Sequence, residues 1–72
     1  MAPERQRFTL RSSEELMGVM DAFKAGKDLE LDLNAMTDQD RRRAIDVLSG
    51  FAYGFDANLQ RTDKHQYTLL RL

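Results

Sequence analysis

The clearest pattern in the chain is a strict alternation of charged and apolar residues over positions 28–33. Successive side chains of a β-strand point to opposite faces of its sheet, so this alternation predicts a half-buried strand. Its leucines should face the core and its carboxylates solvent: Leu29, Leu31 and Leu33 against Asp28, Glu30 and Asp32. A shorter alternation, Phe8-Thr9-Leu10, predicts a first strand nearer the N-terminus.

Between these two strands the apolar spacing changes to that of a helix. Ser12 or Ser13 can cap it, and Gly26 fits a left-handed stop after its last turn. Four apolar side chains should form its buried face: Leu16, Val19, Met20 and Phe23.

A second helix is expected from Asp38 to about Tyr53, with Thr37 as its cap and Gly54 as its end. Its apolar positions cover roughly 160° of the circumference, whereas packing on one sheet needs a stripe of only about 100°. These positions are Ala44, Ile45, Val47, Leu48, Phe51, Ala52 and Phe55. The excess predicts that this helix contacts more than its own sheet.

Gly50 is unusual because it lies well inside this helix, where glycine costs about 1 kcal/mol relative to alanine. Together with Ser49 and Tyr53 it lies outside the apolar arc, so packing against the sheet does not explain it. It is either a neutral position near a fraying end or a place where a missing side chain lets another helix approach.

Weaker strand patterns at residues 58–61 and 66–70 flank a short hairpin turn. The resulting order is β-α-β-α-β-β, and the first two strands should be parallel because a helix crosses between them. This predicts an α/β two-layer sandwich with both helices on one face of a small mixed sheet. The other face should be either polar or an interface. We expect residues 1–7 to be a disordered or frayed lead and residues 8–72 to be one domain.

Composition excludes several classes of function. The chain has 72 residues, no cysteine and one histidine, which rules out disulfides, thiolate metal sites and multi-histidine sites. A formal charge of −1 gives no general attraction for nucleic acid. No secretory signal or apolar run of membrane-spanning length is present, so a cytoplasmic location is expected. At this size a monomer is marginal, which favours a partner.

Few residues are candidates for catalysis or metal binding. His65 is expected in a solvated turn, and the three serines at caps or on helix surface. The acidic row of the second strand could form a hard-cation site, but a solvated strand face is the simpler interpretation. No phosphate-binding glycine loop is present, and no cofactor is expected.

The only basic run is Arg41-Arg42-Arg43, near the start of the second helix. Helical spacing predicts that Asp38 pairs with Arg42 and Asp40 with Arg43. Partner recognition is the alternative interpretation. Nucleic-acid binding is disfavoured because no stacking aromatic side chains accompany the arginines.

Several motifs together resemble the core domain of the SepF cell-division family. They are Leu-Asp-Leu-Asn-Ala-Met-Thr-Asp at 31–38, Arg-Ala-Ile-Asp-Val-Leu-Ser-Gly at 43–50, Tyr53, Asp56, and Leu-Gln-Arg at 59–61. The resemblance implies a non-enzymatic adaptor that dimerises, sometimes assembles further, and binds the C-terminal peptide of FtsZ at the division site. The family's amphipathic membrane helix is not in this sequence, so membrane contact would need a segment that this chain lacks.

The resemblance also implies roles for individual residues. By alignment Arg61 and Tyr67 contribute to the FtsZ-peptide pocket, and Gly50 takes part in self-assembly together with its neighbours Val47, Ser49 and Phe51. Two alternatives stay open. One is a structural self-assembly module without peptide binding. The other is a small enzyme or ligand-binding domain, which would need a closed polar pocket at His65 or at the acidic row.

Overall fold

The structure is a computed structural model and describes residues 5–71. Its elements are β1 (Arg5–Thr9), a 3-10 turn (Ser13–Glu15), α1 (Leu16–Lys24), β2 (Asp28–Asp32), α2 (Asp38–Gly54), β3 (Ala57–Asp63) and β4 (Gln66–Arg71). This order confirms the β-α-β-α-β-β prediction. The strands form one sheet in the order β1-β2-β4-β3. β1 is parallel to β2, and β4 is antiparallel to both of its neighbours.

The core lies between the two helices and one face of this sheet, as the two-layer sandwich predicts. Leu29, Leu31 and Leu33 are all buried, which confirms the inward face of β2. Phe23 from α1 and Leu48 from α2 pack in the same cluster. Both helices therefore cover the same face of the mixed sheet.

β1 begins earlier than the sequence indicated. Arg5, Gln6 and Arg7, which were expected to belong to a frayed lead, are strand residues paired with β2. Ion pairs at 3.5–3.9 Å between the two arginines and the carboxylates of β2 accompany the backbone ladder. In β1 the outward positions are arginines. Without the sequence of its partner strand, such a segment near a terminus resembles a charged tail. The remainder of that lead, residues 1–4, lies outside the described residues.

The helix ends show one confirmed cap and one correction. The Thr37 hydroxyl accepts a hydrogen bond from the Asp40 backbone N–H at 3.1 Å, as the capping pattern of α2 predicts. Ser12 precedes the 3-10 turn without a side-chain capping bond. The Glu15 carboxylate instead accepts from the Arg11 backbone N–H at 2.9 Å. Gly26 has φ of 100°, the left-handed conformation expected at the end of α1.

The wide apolar arc of α2 is only partly buried by its own chain. Ala44, Leu48 and Ala52 are buried and mark the centre of the packed stripe. Val47 on one shoulder of the arc is 41% exposed, and Phe55, just after the helix end, is 50% exposed. Beyond the sheet, α2 contacts α1 through the rings of Phe51 and Phe23, whose centres are 5.7 Å apart. A contact of α2 with another chain stays a prediction.

Candidate partner-binding surfaces

The β3–β4 hairpin brings together the two residues that the sequence assigned to a peptide site. Arg61 and Tyr67 lie directly opposite each other in the antiparallel ladder. Side chains at such positions have Cβ atoms about 5 Å apart and point to the same face of the sheet. Tyr67 also lies opposite Leu31, and it packs against the core cluster as a half-buried side chain. A basic side chain and an aromatic ring thus share one small surface on the helix-bearing face.

Arg61 is available for an anionic partner. Its side chain is exposed, and its Nε–H donates to the Asp63 carbonyl oxygen at 3.2 Å. Within residues 5–71 no carboxylate lies within ion-pair distance of its guanidinium. The terminal nitrogens can therefore form charge-assisted hydrogen bonds with an acidic group.

The tip of the hairpin is fixed to the end of β2. The His65 carbonyl oxygen accepts from the Leu33 backbone N–H at 2.8 Å, and the Lys64 N–H donates to the Asp63 carboxylate at 2.8 Å. His65 lies in the turn as predicted, half-buried rather than fully solvated. The pairing of β3 with β4 has a register irregularity between Arg61 and Asp63, of the kind that bends a strand locally.

The sheet face without helices is polar. Arg5 and Arg7 of β1 pair there with Glu30 and Asp32 of β2. A hollow of about 220 Å³ borders these ion pairs, and residues of both faces line it: Arg5, Arg7, Glu30, Leu31, Thr62, Gln66, Tyr67 and Thr68. Of the two alternatives for this face, the observed side chains fit the polar one.

Asp28 corrects one expectation for the acidic row, because it is buried rather than turned to solvent. Its carboxylate accepts from the Arg71 backbone N–H at 3.4 Å. The Arg71 guanidinium in turn donates to the Phe23 carbonyl oxygen at the end of α1 and lies 4.4 Å from the centre of the Phe23 ring. In the part of the chain that the structure describes, no group of three or more metal-ligating side chains occurs. The acidic row is thus divided between a structural contact and ion pairs.

Asp32 has a lowered pKa, chiefly because the backbone N–H and then the side-chain amide of Asn34 donate to its carboxylate, both at 2.9 Å. The nearby Arg7 lowers it further. A carboxyl group whose pKa is lower in the folded state stabilises the fold above its unfolded pKa of about 3.8–3.9. That stability is lost as the pH falls through the folded value.

We therefore expect Asp32→Asn to lose less stability than the wild type when the pH falls from about 5 to about 2. Urea unfolding at several pH values measures this difference. The matched control is Asp21→Asn, on the exposed side of α1. Equal acid sensitivity of Asp32→Asn and wild type would show that the Asn34 contacts do not act through the carboxylate.

The three arginines of α2 do not form the predicted pairs. Arg41, rather than Arg42, pairs with Asp38 at 2.7 Å. It also donates to the carbonyl oxygens of Leu33 at 3.1 Å and Met36 at 2.7 Å. Within the described range, neither Arg42 nor Arg43 has a carboxylate at ion-pair distance, and both are exposed. Arg41 therefore stabilises the loop between β2 and α2, and the side chains of Arg42 and Arg43 are accessible to solvent or a partner.

The predicted assembly residues lie on the outward side and one shoulder of α2. Val47, Ser49 and Gly50 are exposed, and a Cβ added at Gly50 would meet nothing within 4 Å in the described part of the chain. Phe51 is half-buried, edge-on to Phe23 at 5.7 Å and stacked on Phe55 at 4.5 Å. Packing within the chain therefore does not require glycine at position 50.

Tyr53 is the residue of this surface that was not assigned an assembly role from the sequence. Its side chain is 91% exposed, more than any other large hydrophobic residue described. Its place outside the apolar arc was already visible, but an aromatic residue alone on a helix surface does not show whether a partner covers it.

Comparison with known families decides against the enzyme interpretation. The family described as cell division protein SepF matches residues 7–70 of the chain, which is nearly its full length. The chain belongs to the SepF family. It is therefore a cell-division protein of a non-enzymatic family, as the resemblance implied. No curated protein sequence matches the chain. Across residues 5–71, neither helix has the length and apolar character needed to cross a membrane.

Within the SepF-family core, Arg61 and Tyr67 lie on the last two strands, and the residues predicted to act in assembly lie on the second helix. The two surfaces are therefore carried by different elements. Mutations in one can be tested without replacing a side chain of the other.

Proposed function

We propose that this chain is a division-site adaptor that dimerises and binds the C-terminal peptide of FtsZ through Arg61 and Tyr67. Through FtsZ it would help to organise the division ring. The observation that carries the proposal is the position of these two residues, directly opposite each other on β3 and β4.

The chemistry of the two side chains supports an acidic peptide with an apolar anchor. Arg61 presents a guanidinium with no carboxylate at ion-pair distance within residues 5–71, and such groups recognise carboxylates through paired hydrogen bonds. Tyr67 presents an aromatic ring whose other side is held by the core. A ring fixed in this way loses little conformational freedom when an apolar side chain packs on it.

We expect Arg61→Glu to weaken binding of an FtsZ C-terminal peptide at least about tenfold, or about 1.4 kcal/mol. The physical reason is that a charge-assisted hydrogen bond is replaced by repulsion. Isothermal titration calorimetry of the intact domain measures the affinity. Adding Tyr67→Ala should abolish binding, whereas Tyr67→Phe keeps the ring and tests the hydroxyl separately.

The matched control is Lys64→Glu, which makes the same charge change on an exposed residue in the turn of the same hairpin. We expect it to change the affinity less than about twofold, because an exposed charge outside the contact acts only through screened electrostatics. Equal weakening by Lys64→Glu and Arg61→Glu would contradict a specific role for Arg61. Absence of binding by the folded wild type would favour the alternative of a self-assembly module.

A further inference from the structure

The flank of α2 that faces away from α1 carries a depression of about 320 Å³. It is lined by Asp38, Arg41, Arg42, Ile45 and Asp46. Phe51 marks the opposite flank, because its ring packs on Phe23 of α1 at 5.7 Å. At about 100° per residue, Ile45 lies roughly 120° around the helix from Phe51. The depression therefore opens on the side away from α1.

The β3–β4 hairpin lies next to this flank. α2 packs on β3, which is the strand at one edge of the sheet. The backbone of Leu33 joins the hairpin to the start of the helix. Its N–H donates to the His65 carbonyl oxygen at 2.8 Å, and its carbonyl oxygen accepts from Arg41 Nε at 3.1 Å. The hairpin turn and the first turns of α2 are therefore held at the same end of the sheet.

One strip of surface runs from the hairpin onto α2. Arg61 and Tyr67 point to the side of the sheet that carries this helix. Tyr67 and Ile45 are both half-buried and both pack against the core cluster. Arg42 lies about 60° further around the helix than Ile45 and is exposed. Ile45 thus lies between the hairpin and Arg42, and the strip has an apolar centre with a cation on either side.

The charges of the depression leave one cation available to a partner. Arg41 pairs with Asp38 at 2.7 Å. Within residues 5–71, no carboxylate lies within ion-pair distance of Arg42. Asp46 lies one turn further along the helix, where its carboxylate disfavours a second anion beyond Arg42. An acidic group bound on α2 is therefore directed to the guanidinium of Arg42.

We propose that the peptide site of the hairpin continues onto α2, where Ile45 contacts the apolar anchor of the peptide and Arg42 binds a second acidic side chain. This rests on the proposed function, and it adds the chemistry of the partner segment. The segment carries two acidic side chains that flank an apolar one, because Arg61 and Arg42 flank the apolar surface formed by Tyr67 and Ile45. Each guanidinium can form charge-assisted hydrogen bonds with one carboxylate.

Isothermal titration calorimetry of the intact domain with an FtsZ C-terminal peptide tests the role of Arg42. Arg42→Gln should weaken binding at least about threefold, because it removes the charge and keeps a long polar side chain. The matched control is Arg43→Gln, the next residue along the helix, which is exposed on the flank toward α1. It should change the affinity less than about 1.5-fold. Both residues are exposed, so neither change should alter the melting temperature by more than a few degrees.

A double-mutant cycle between the domain and the peptide identifies the contact itself. Each acidic residue of the peptide is replaced in turn by its amide. One replacement should weaken binding to the wild type at least about threefold, and binding to Arg42→Gln less than about 1.5-fold. A different acidic residue should show the same coupling to Arg61→Gln. A merely structural role of Arg42 would give no such coupling.

The outcomes separate this inference from the proposed function. Equal affinities of Arg42→Gln and Arg43→Gln, with binding still weakened by Arg61→Glu, would overturn the extension onto α2 and leave the hairpin site intact. Coupling of Arg42 and Arg61 to the same acidic residue would overturn the arrangement of two acidic groups. A folded wild type that does not bind the peptide would overturn both the inference and the proposed function.

Discussion

Replacing Phe23 with alanine should lower the free energy of unfolding by about 3–5 kcal/mol. The Phe23 side chain is fully buried and is the largest of the fully buried side chains described. It packs edge-on against Phe51 at 5.7 Å and beneath the Arg71 guanidinium at 4.4 Å. Removing the ring leaves a cavity between α1, α2 and the end of β4. A domain of this size is stable by only about 5–15 kcal/mol, so the loss is a large fraction of its total stability.

Urea unfolding, followed by circular dichroism, measures the effect. The control is Phe55→Ala, the same substitution at a ring that is half exposed and stacked on Phe51 at 4.5 Å. We expect the control to cost about 1 kcal/mol or less, because little apolar area returns to water. A loss below about 1 kcal/mol in Phe23→Ala would contradict the packing described for the core.

Replacing Arg41 with alanine should cost about 2–3 kcal/mol, the second largest effect expected. The guanidinium donates to two backbone carbonyl oxygens, those of Leu33 and Met36, and pairs with the Asp38 carboxylate. In the alanine variant both carbonyls lose their charged donor in a partly buried loop. Since about 1 kcal/mol shifts the melting temperature of a small domain by roughly 4–8 °C, the change should be easy to measure.

Arg43→Ala is the matched control for Arg41→Ala, because it removes the same side chain two residues later at an exposed position. It should change the melting temperature by no more than a few degrees. Arg41→Lys should recover only part of the loss, since an ammonium group cannot reproduce the planar fork. Equal melting temperatures for the Arg41→Ala and Arg43→Ala variants would show that the loop does not depend on the hydrogen bonds of Arg41.

The helices and strands in which apolar residues repeat with a regular period could be predicted from the sequence. The alternation at residues 28–33 and the helical spacing before Gly26 each repeat one period several times, so few other structures fit them. β1 was placed too late because Arg5 and Arg7 are outward-facing strand residues, and arginines near a terminus resemble a charged tail. Their partners, Glu30 and Asp32, lie more than twenty residues away in sequence.

The arginine run shows the limit of local spacing rules. Asp38 is three residues from Arg41 and four from Arg42, and both separations allow an ion pair on a helix. Arg41 rather than Arg42 pairs with Asp38 because its guanidinium also donates to the Leu33 and Met36 carbonyl oxygens. These carbonyl groups lie beside Arg41 only in the folded loop. Arg71 could not be predicted for the same reason, because its contact with Phe23 joins residues 48 positions apart.

Of the candidate surfaces, the sequence supplied the residues and the structure supplied their arrangement. The family motifs pointed to Arg61 and Tyr67, and the ladder places them opposite each other. Tyr53 was visible only as an aromatic residue outside an apolar arc.

The central claim is that the helix-bearing side of the β3–β4 hairpin binds the FtsZ C-terminal peptide. Nuclear magnetic resonance titration of the isotope-labelled domain with that peptide tests it most directly. The largest amide shift changes should centre on Arg61 and Tyr67, with little change at Thr9 of β1 and Asp21 of α1, which lie outside that hairpin. Changes centred outside the β3–β4 hairpin, or no saturable change at any residue, would contradict this claim.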